Sequence, residues 1–146
     1  MNIASSITIR FYTPNDYDEI VKLYRVTEMP GSEFDLNRDS KERLNKRIDN
    51  DPDSILIAES GGKIIGSVSL IEDGRVAWLF RFRVIEEKGE EKVANLLYEK
   101  AKEVLQKKGH HQVLVYTPVG ETKFQNRYRN LGFNRGHDYT CFWKDI

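Results

Sequence analysis

Apolar and polar positions alternate at the start of the chain, where Ile7, Ile9 and Phe11 are interleaved with Ser6, Thr8 and Arg10. A period of two sends neighbouring side chains to opposite faces of an extended backbone, so this segment reads as a half-buried first strand. Pro14, Asn15 and Asp16 then supply turn and capping chemistry, and Ile20, Val21, Leu23 and Tyr24 fall at the spacing of one helical face. Met29, Pro30 and Gly31 break that helix. Asp39 and Ser40 can cap a second, highly charged helix whose thin apolar face is Leu44 and Ile48, and the connection before it reads as a mobile lid or substrate loop.

Three strand patterns follow. Residues 54–60 and 63–71 flank Gly61 and Gly62 as a hairpin, and Glu72, Asp73 and Gly74 turn the chain into a long strand over 75–84. Simple alternation puts Val76, Trp78, Phe80, Phe82 and Val84 on one face of this strand. Ala77, Leu79, Arg81 and Arg83 would share the other face, which turns cationic toward its end. After a segment without strand character, Val93, Leu96, Leu97, Ala101, Val104 and Leu105 recur at helical spacing, and Lys107, Lys108 and Gly109 close that helix. Residues 112–116 read as a short strand, parallel to 75–84 through a right-handed crossover. Thr122 is expected to cap a further helix that ends at Gly132 and Phe133, and the aromatic segment 139–143 to add a last strand. This order predicts an α+β domain on one mixed sheet, with a ligand expected where the parallel neighbours part, near Val84 and Tyr116.

Composition narrows the class. The 146 residues suit a single domain over 1–146, without repeats or linkers. Lys+Arg and Asp+Glu both number 23, so the net charge is zero, which argues against nucleic acid or an anionic membrane as partner. The basic and aromatic patch of Asn126, Arg127, Tyr128, Arg129, Asn134 and Arg135 leaves nucleic acid a minor reading. No apolar run approaches the roughly 18 residues of a membrane span, no secretory leader is expected, and a single cysteine, Cys141, provides no disulfide. A cytoplasmic location is the expectation. Adjacent His110 and His111 would point apart on a strand, so no metal is expected, and Cys141 reads as a small core residue.

The element order, the opening 7–11 strand followed by Asn15 and Asp16, the stretch from Phe82, Arg83 and Val84 into Ala94, Asn95, Leu96 and Leu97, and the run Tyr128-Arg129-Asn130-Leu131-Gly132-Phe133 together resemble the GNAT-type N-acetyltransferases. The resemblance covers nearly the whole chain. It implies a mixed sheet of about six to seven strands flanked by about four helices, and direct transfer of an acetyl group from acetyl-CoA to the amine of a small-molecule or protein acceptor. Backbone groups of Phe82, Arg83 and Val84 would pair with the pantetheine arm, and the loop and helix start at Lys88, Gly89, Glu90, Glu91, Lys92 and Val93 would hold the pyrophosphate on free backbone N–H groups.

Several positions depart from the family pattern. Glu91 and Val93 stand where the motif has glycines, and four glutamates against two lysines between Ile85 and Lys92 leave that stretch with a charge of −2. Tyr128 matches the family tyrosine whose phenol protonates the departing thiolate. Glu121 replaces a cofactor-binding asparagine and Phe124 a small residue, which leaves Asn126, out of register, as a lesser candidate. The strand over 75–84 carries no carboxylate to act as a base; Arg81 and Arg83 would attract an anionic part of substrate or cofactor, or be solvated, the preferred reading for Arg83. Glu28, Glu33 and Asp73 are conceivable bases in substrate-side loops, the substrate approaching past residues 26–37. Two rival readings stay open: a non-catalytic module with a decayed acetyl-CoA site, and an interaction protein forming a homodimer through its aromatic last strand.

Overall fold

A computed structural model of the chain describes residues 6–87 and 89–146. Four strands, β1 (Ile7–Phe11), β2 (Ile55–Ser60), β3 (Lys63–Glu72) and β4 (Ala77–Val84), pair antiparallel in that spatial order. Helices α1 (Tyr17–Val26), α2 (Leu36–Asp39) and α3 (Lys41–Asn50) lie between β1 and β2, while α4 (Glu90–Lys107) and α5 (Thr122–Asn130) follow β4. Alternation along β2 sorts its side chains between two cores. Ile55 and Ile57 pack with Ile20, Tyr24 and Leu44 on the α1–α3 face, and Leu56 and Ala58 pack with Val93, Leu97, Ala101 and Leu105 of α4 on the other. At Gly66 the helix comes so close that an added Cβ would stand 3.0 Å from both Leu97 Cδ1 and Val93 Cγ1.

The expected faces of β4 are corrected by a bulge. Ser67 pairs with Arg83 and Ser69 with Phe80, so Val68 alone opposes two residues, Arg81 and Phe82. Arg81 takes a positive φ of 51°, unusual for a residue with a side chain. The extra residue switches the parity of the strand: Ala77 and Leu79 face the α4 core before it, and Phe82 and Val84 face the same core after it. Arg81 and Arg83 are thereby turned toward the loop 27–35 between α1 and α2.

The strand count is lower than the six to seven expected. Residues 112–116 contribute one parallel bridge, Trp78 with Leu114, through Leu79 N–H to Leu114 O and Leu114 N–H to Ala77 O, both 2.9 Å. Residues 139–143 form no strand, because the segment they would pair with leaves the sheet. Tyr139 touches Tyr116 ring to ring at 6.2 Å, while Phe142 and Trp143 are 91% and 80% exposed. Cys141 is likewise exposed, not a core residue. Ser40 caps α3 as expected, accepting from Arg43 N–H at 3.2 Å, but Asp39 is no cap; it is a buried ion-pair partner. Thr122 is the first residue of α5, with Glu121 preceding it as cap. Among the described residues no helix is long and apolar enough to cross a membrane, and no cluster of three metal-ligating side chains occurs.

Candidate active site

Beyond Phe80, β4 pairs with β3 alone, because residues 115–118 diverge from it after the bridge at Leu114. The cleft so formed leaves one backbone edge of β4 without a strand partner at Arg81, Phe82, Arg83 and Val84, an edge of the kind an extended ligand can pair with, although each of these residues is at most 4% exposed. The side chains of Phe82 and Val84 are buried in the α4 core. The site they offer is their backbone.

A groove of about 180 Å³ opens beside the cleft, between the start of α4 and α5. Glu90, Glu91, Ala94 and Asn95 line one wall; Lys123, Asn126, Arg127 and Asn130 line the other. The α5 residues recur three and four apart, so one helical face presents them together. Gly89 begins α4 with a φ of 100°, a left-handed turn that suits glycine. Within the helix start, Lys92 and Val93 N–H both donate to Gly89 O, at 3.1 and 3.2 Å, and the Val93 side chain is fully buried in the core. Lys88 lies outside the described residues.

The acidity of this loop is offset from across the groove. Lys123 Nζ stands 2.5 Å from Glu86 Oε1 and holds its carboxyl below the usual range, Arg127 Nη2 stands 4.0 Å from Glu90 Oε2, and Asn130 donates to Glu91 at 3.5 Å. Glu90 Oε2 is nevertheless buried without a hydrogen bond.

Tyr128 projects from α5 into the α4 core beside Phe82. Its ring meets Phe82 edge-on at 6.0 Å and Phe133 at 5.5 Å. Gly132, at a φ of 91°, lets the chain reverse so that Phe133 N–H donates to Tyr128 O at 2.9 Å and Gly132 N–H to Arg129 O at 3.0 Å. The Leu-Gly-Phe ending thus seats Phe133 against the tyrosine. Burial pushes the phenol up to about 12, against the opposing influence of Arg127 and Arg83, and its hydroxyl makes no hydrogen bond to a described residue.

On the opposite side of β4, Arg81 forms a two-point ion pair with Asp39 and also donates to Ser32 O, Ser32 Oγ and Glu33 O. Arg83, expected in solvent, is 1% exposed. Loop 27–35 is therefore hydrogen-bonded to the sheet through neutral oxygens of Thr27, Ser32 and Glu33. Glu28 and Glu33 accept from Phe34 and Gly31 N–H within this loop, and Asp73 holds the β3–β4 turn, its carboxyl lowered to about 2 by Arg75 and by backbone N–H groups.

The sequence pattern of the Acetyltransferase (GNAT) family matches residues 17–133. The chain belongs to that family. Its fold is shared with solved GNAT structures at low sequence identity. The PaiA N-acetyltransferase of Thermoplasma acidophilum, solved with coenzyme A, is 23% identical, with 86% of this chain and 88% of that one covered and a TM-score of 0.71. Ard1 of Thermoplasma volcanium is 16% identical over 90% of this chain and 85% of that one, TM-score 0.72. AAC(6')-Iy, solved with the bisubstrate analogue CoA-S-monomethyl-acetylneamine, is 19% identical over 97% and 100%, TM-score 0.74. No curated protein sequence matches the chain.

In this GNAT domain Glu90, Glu91 and Asn126 of the sequence-derived candidates line the groove, while Tyr128 packs on Phe82 of the unpaired β4 stretch. Lys123 and Arg127 join them, and their spacing with Asn126 and Asn130 on α5 is the signal that finds them. The pairing of Arg81 with Asp39 has no such signal, because the two are 42 positions apart.

Proposed function

We propose that the chain is an N-acetyltransferase that uses acetyl-CoA as co-substrate and transfers the acetyl group directly to the amine of a small-molecule or protein acceptor. One observation carries this reading: β4 has no strand partner on one edge at Arg81 to Val84, the Tyr128 ring packs against Phe82 of that stretch, and the helix that carries Tyr128 also lines a groove with Lys123, Asn126 and Arg127. The residues present fit a coenzyme A thioester. Phe82, Arg83 and Val84 offer backbone partners for the amides of its arm, while Lys123 and Arg127 offer cations and Asn126 an amide for its phosphates. Glu86 and Glu90 occupy those cations when no phosphate is there.

Bound acetyl-CoA supplies an activated acyl group on a good leaving thiolate. Tyr128 holds its proton to high pH, so it is suited to protonate that thiolate and unsuited to act as a base. The walls of Phe82 and Phe133 keep water from the phenol. The substrate amine reaches the cleft from the side of loop 27–35, and without a carboxylate on β4 its proton leaves to solvent.

Calorimetry with acetyl-CoA tests the reading. Binding at micromolar concentration, followed by thiol release when amines are added, is the expected result. No binding heat at millimolar ligand would overturn it and leave a non-catalytic module, the reading that the orphaned Glu90 oxygen favours.

A further inference from the structure

Arg83 is the largest of the fully buried side chains and lacks a carboxylate partner. Its Nη1 donates to Thr27 O at 3.0 Å, and its Nη2 to Ser32 O at 2.6 Å and Ser32 Oγ at 2.7 Å. All three acceptors are neutral and belong to loop 27–35. Its Nε is buried with no hydrogen bond at all. Arg81 lies beside it and takes both oxygens of Asp39, the one buried acid of the cluster, so two buried guanidiniums stand against one carboxylate and the cluster keeps a charge of +1. Glu28 and Glu33 do not compensate it, because their side chains are exposed and turned to the loop's own N–H groups. Burying a cation without a counter-charge is unfavourable, and an anion would complete the arrangement.

The position of the charge says which molecule brings that anion. Arg83 lies on the stretch of β4 that has no second strand partner, on the face turned away from the α4 core, and the phenol of Tyr128 lies within its electrostatic reach. Phosphates held in the groove are on the other side of the strand. We propose that the acceptor amine carries an anionic group, a carboxylate or a phosphate, that binds Arg83 in place of the Thr27 and Ser32 oxygens when loop 27–35 swings away. A guanidinium with Nε and one Nη free of stronger partners presents two parallel N–H groups, the geometry that an oxyanion accepts in a bidentate manner. This inference rests on the acetyltransferase reading and deepens it, because it names the class of acceptor.

The test compares matched acceptors with the whole protein: an L-amino acid against its amide for the carboxylate, and O-phosphoethanolamine against ethanolamine for the phosphate. At least one anionic member is expected to show a kcat/KM about tenfold or more above its neutral counterpart, and whichever pair shows the larger ratio identifies the anion. The amine-free acid of the preferred pair is expected to inhibit competitively against the acceptor, a result that needs no variant. In Arg83→Gln the preference falls toward one, and Arg83→Lys recovers part of it. Equal rates for charged and neutral acceptors, or an Arg83→Gln variant that slows both members alike and keeps the ratio, would overturn the inference. Acetyl-CoA binding is measured separately: binding without anion preference removes only this inference, whereas failure to bind acetyl-CoA removes the reading beneath it.

Discussion

Arg81 and Asp39 are joined at two points, Nε to Oδ1 at 3.0 Å and Nη2 to Oδ2 at 2.7 Å, and almost no surface of either reaches solvent. The pair is held by the bulge, which turns Arg81 toward α2 at a positive φ. Asp39 also accepts from Asp35 N–H at 2.9 Å, so one carboxylate fastens both the arginine and the loop. Removing it in Asp39→Ala leaves two buried guanidiniums unpaired, and the expected loss of stability is about 3–5 kcal/mol. Urea unfolding measures it; a loss below about 1 kcal/mol would equate the pair with an ordinary surface ion pair.

Gly66 sets how closely α4 approaches the sheet. A methyl group there would stand 3.0 Å from Leu97 and Val93 and 3.2 Å from the carbonyl oxygen of Arg83. The leucine and valine belong to a fully buried layer, so neither can swing aside freely. Gly66→Ala is expected to cost about 1–3 kcal/mol through overpacking, and to weaken acetyl-CoA binding because the start of α4 must move outward. Thermal unfolding and calorimetry on the same variant check both; unchanged stability would show that the helix yields without strain.

The sequence makes the element order and the helices legible because their signals are local. Val93, Leu97, Ala101 and Val104 announce α4 by spacing alone, and Tyr128 through Phe133 announce the end of α5. The β4 faces are misread because a one-residue bulge leaves no mark in an alternating pattern and yet inverts everything after it. Asp39 resembles a cap because Asp-Ser before a charged helix is cap chemistry, while its true partner is distant in sequence. The aromatic alternation of 139–143 signals a strand only if a neighbouring edge receives it, and residues 112–116 pair with β4 at a single bridge.

Across the groove, Arg127 and Glu90 stand 4.0 Å apart, and the proposed acetyl-CoA site predicts that their pairing opposes phosphate binding. Glu90→Gln removes a negative charge 4.0 Å from Arg127 and is expected to tighten acetyl-CoA binding by about 1 kcal/mol, roughly fivefold. Arg127→Gln is expected to weaken it by a similar factor, and the wild-type affinity to fall as salt is added. Titration calorimetry at two ionic strengths gives all three values. Tighter binding by Arg127→Gln would show that the arginine serves only Glu90 and the rings of Phe82 and Phe124.

Tyr128 offers the sharpest separation of chemistry from packing. Its ring contacts with Phe82 and Phe133 survive in Tyr128→Phe, and its hydroxyl has no described hydrogen-bond partner to lose, so the stability change should stay below about 1.5 kcal/mol. If the phenol protonates the departing thiolate, kcat falls by roughly a hundredfold or more while acetyl-CoA affinity holds. The pH profile adds an independent sign. Burial raises the phenol from its ordinary 10.0 to about 12, so the folded protein keeps this proton after the unfolded chain has lost it. The acid form therefore persists and kcat should not decline from about pH 8 to 10, where a phenol of ordinary acidity would already be half ionised. Above pH 10 the unfolded chain gains by releasing the proton, so stability should fall as pH rises from 10 to about 12, with Tyr24, also raised to about 12 by burial, adding to the loss. Tyr128→Phe should flatten part of that alkaline decline; a variant with full turnover and an unchanged decline would assign Tyr128 no part in either.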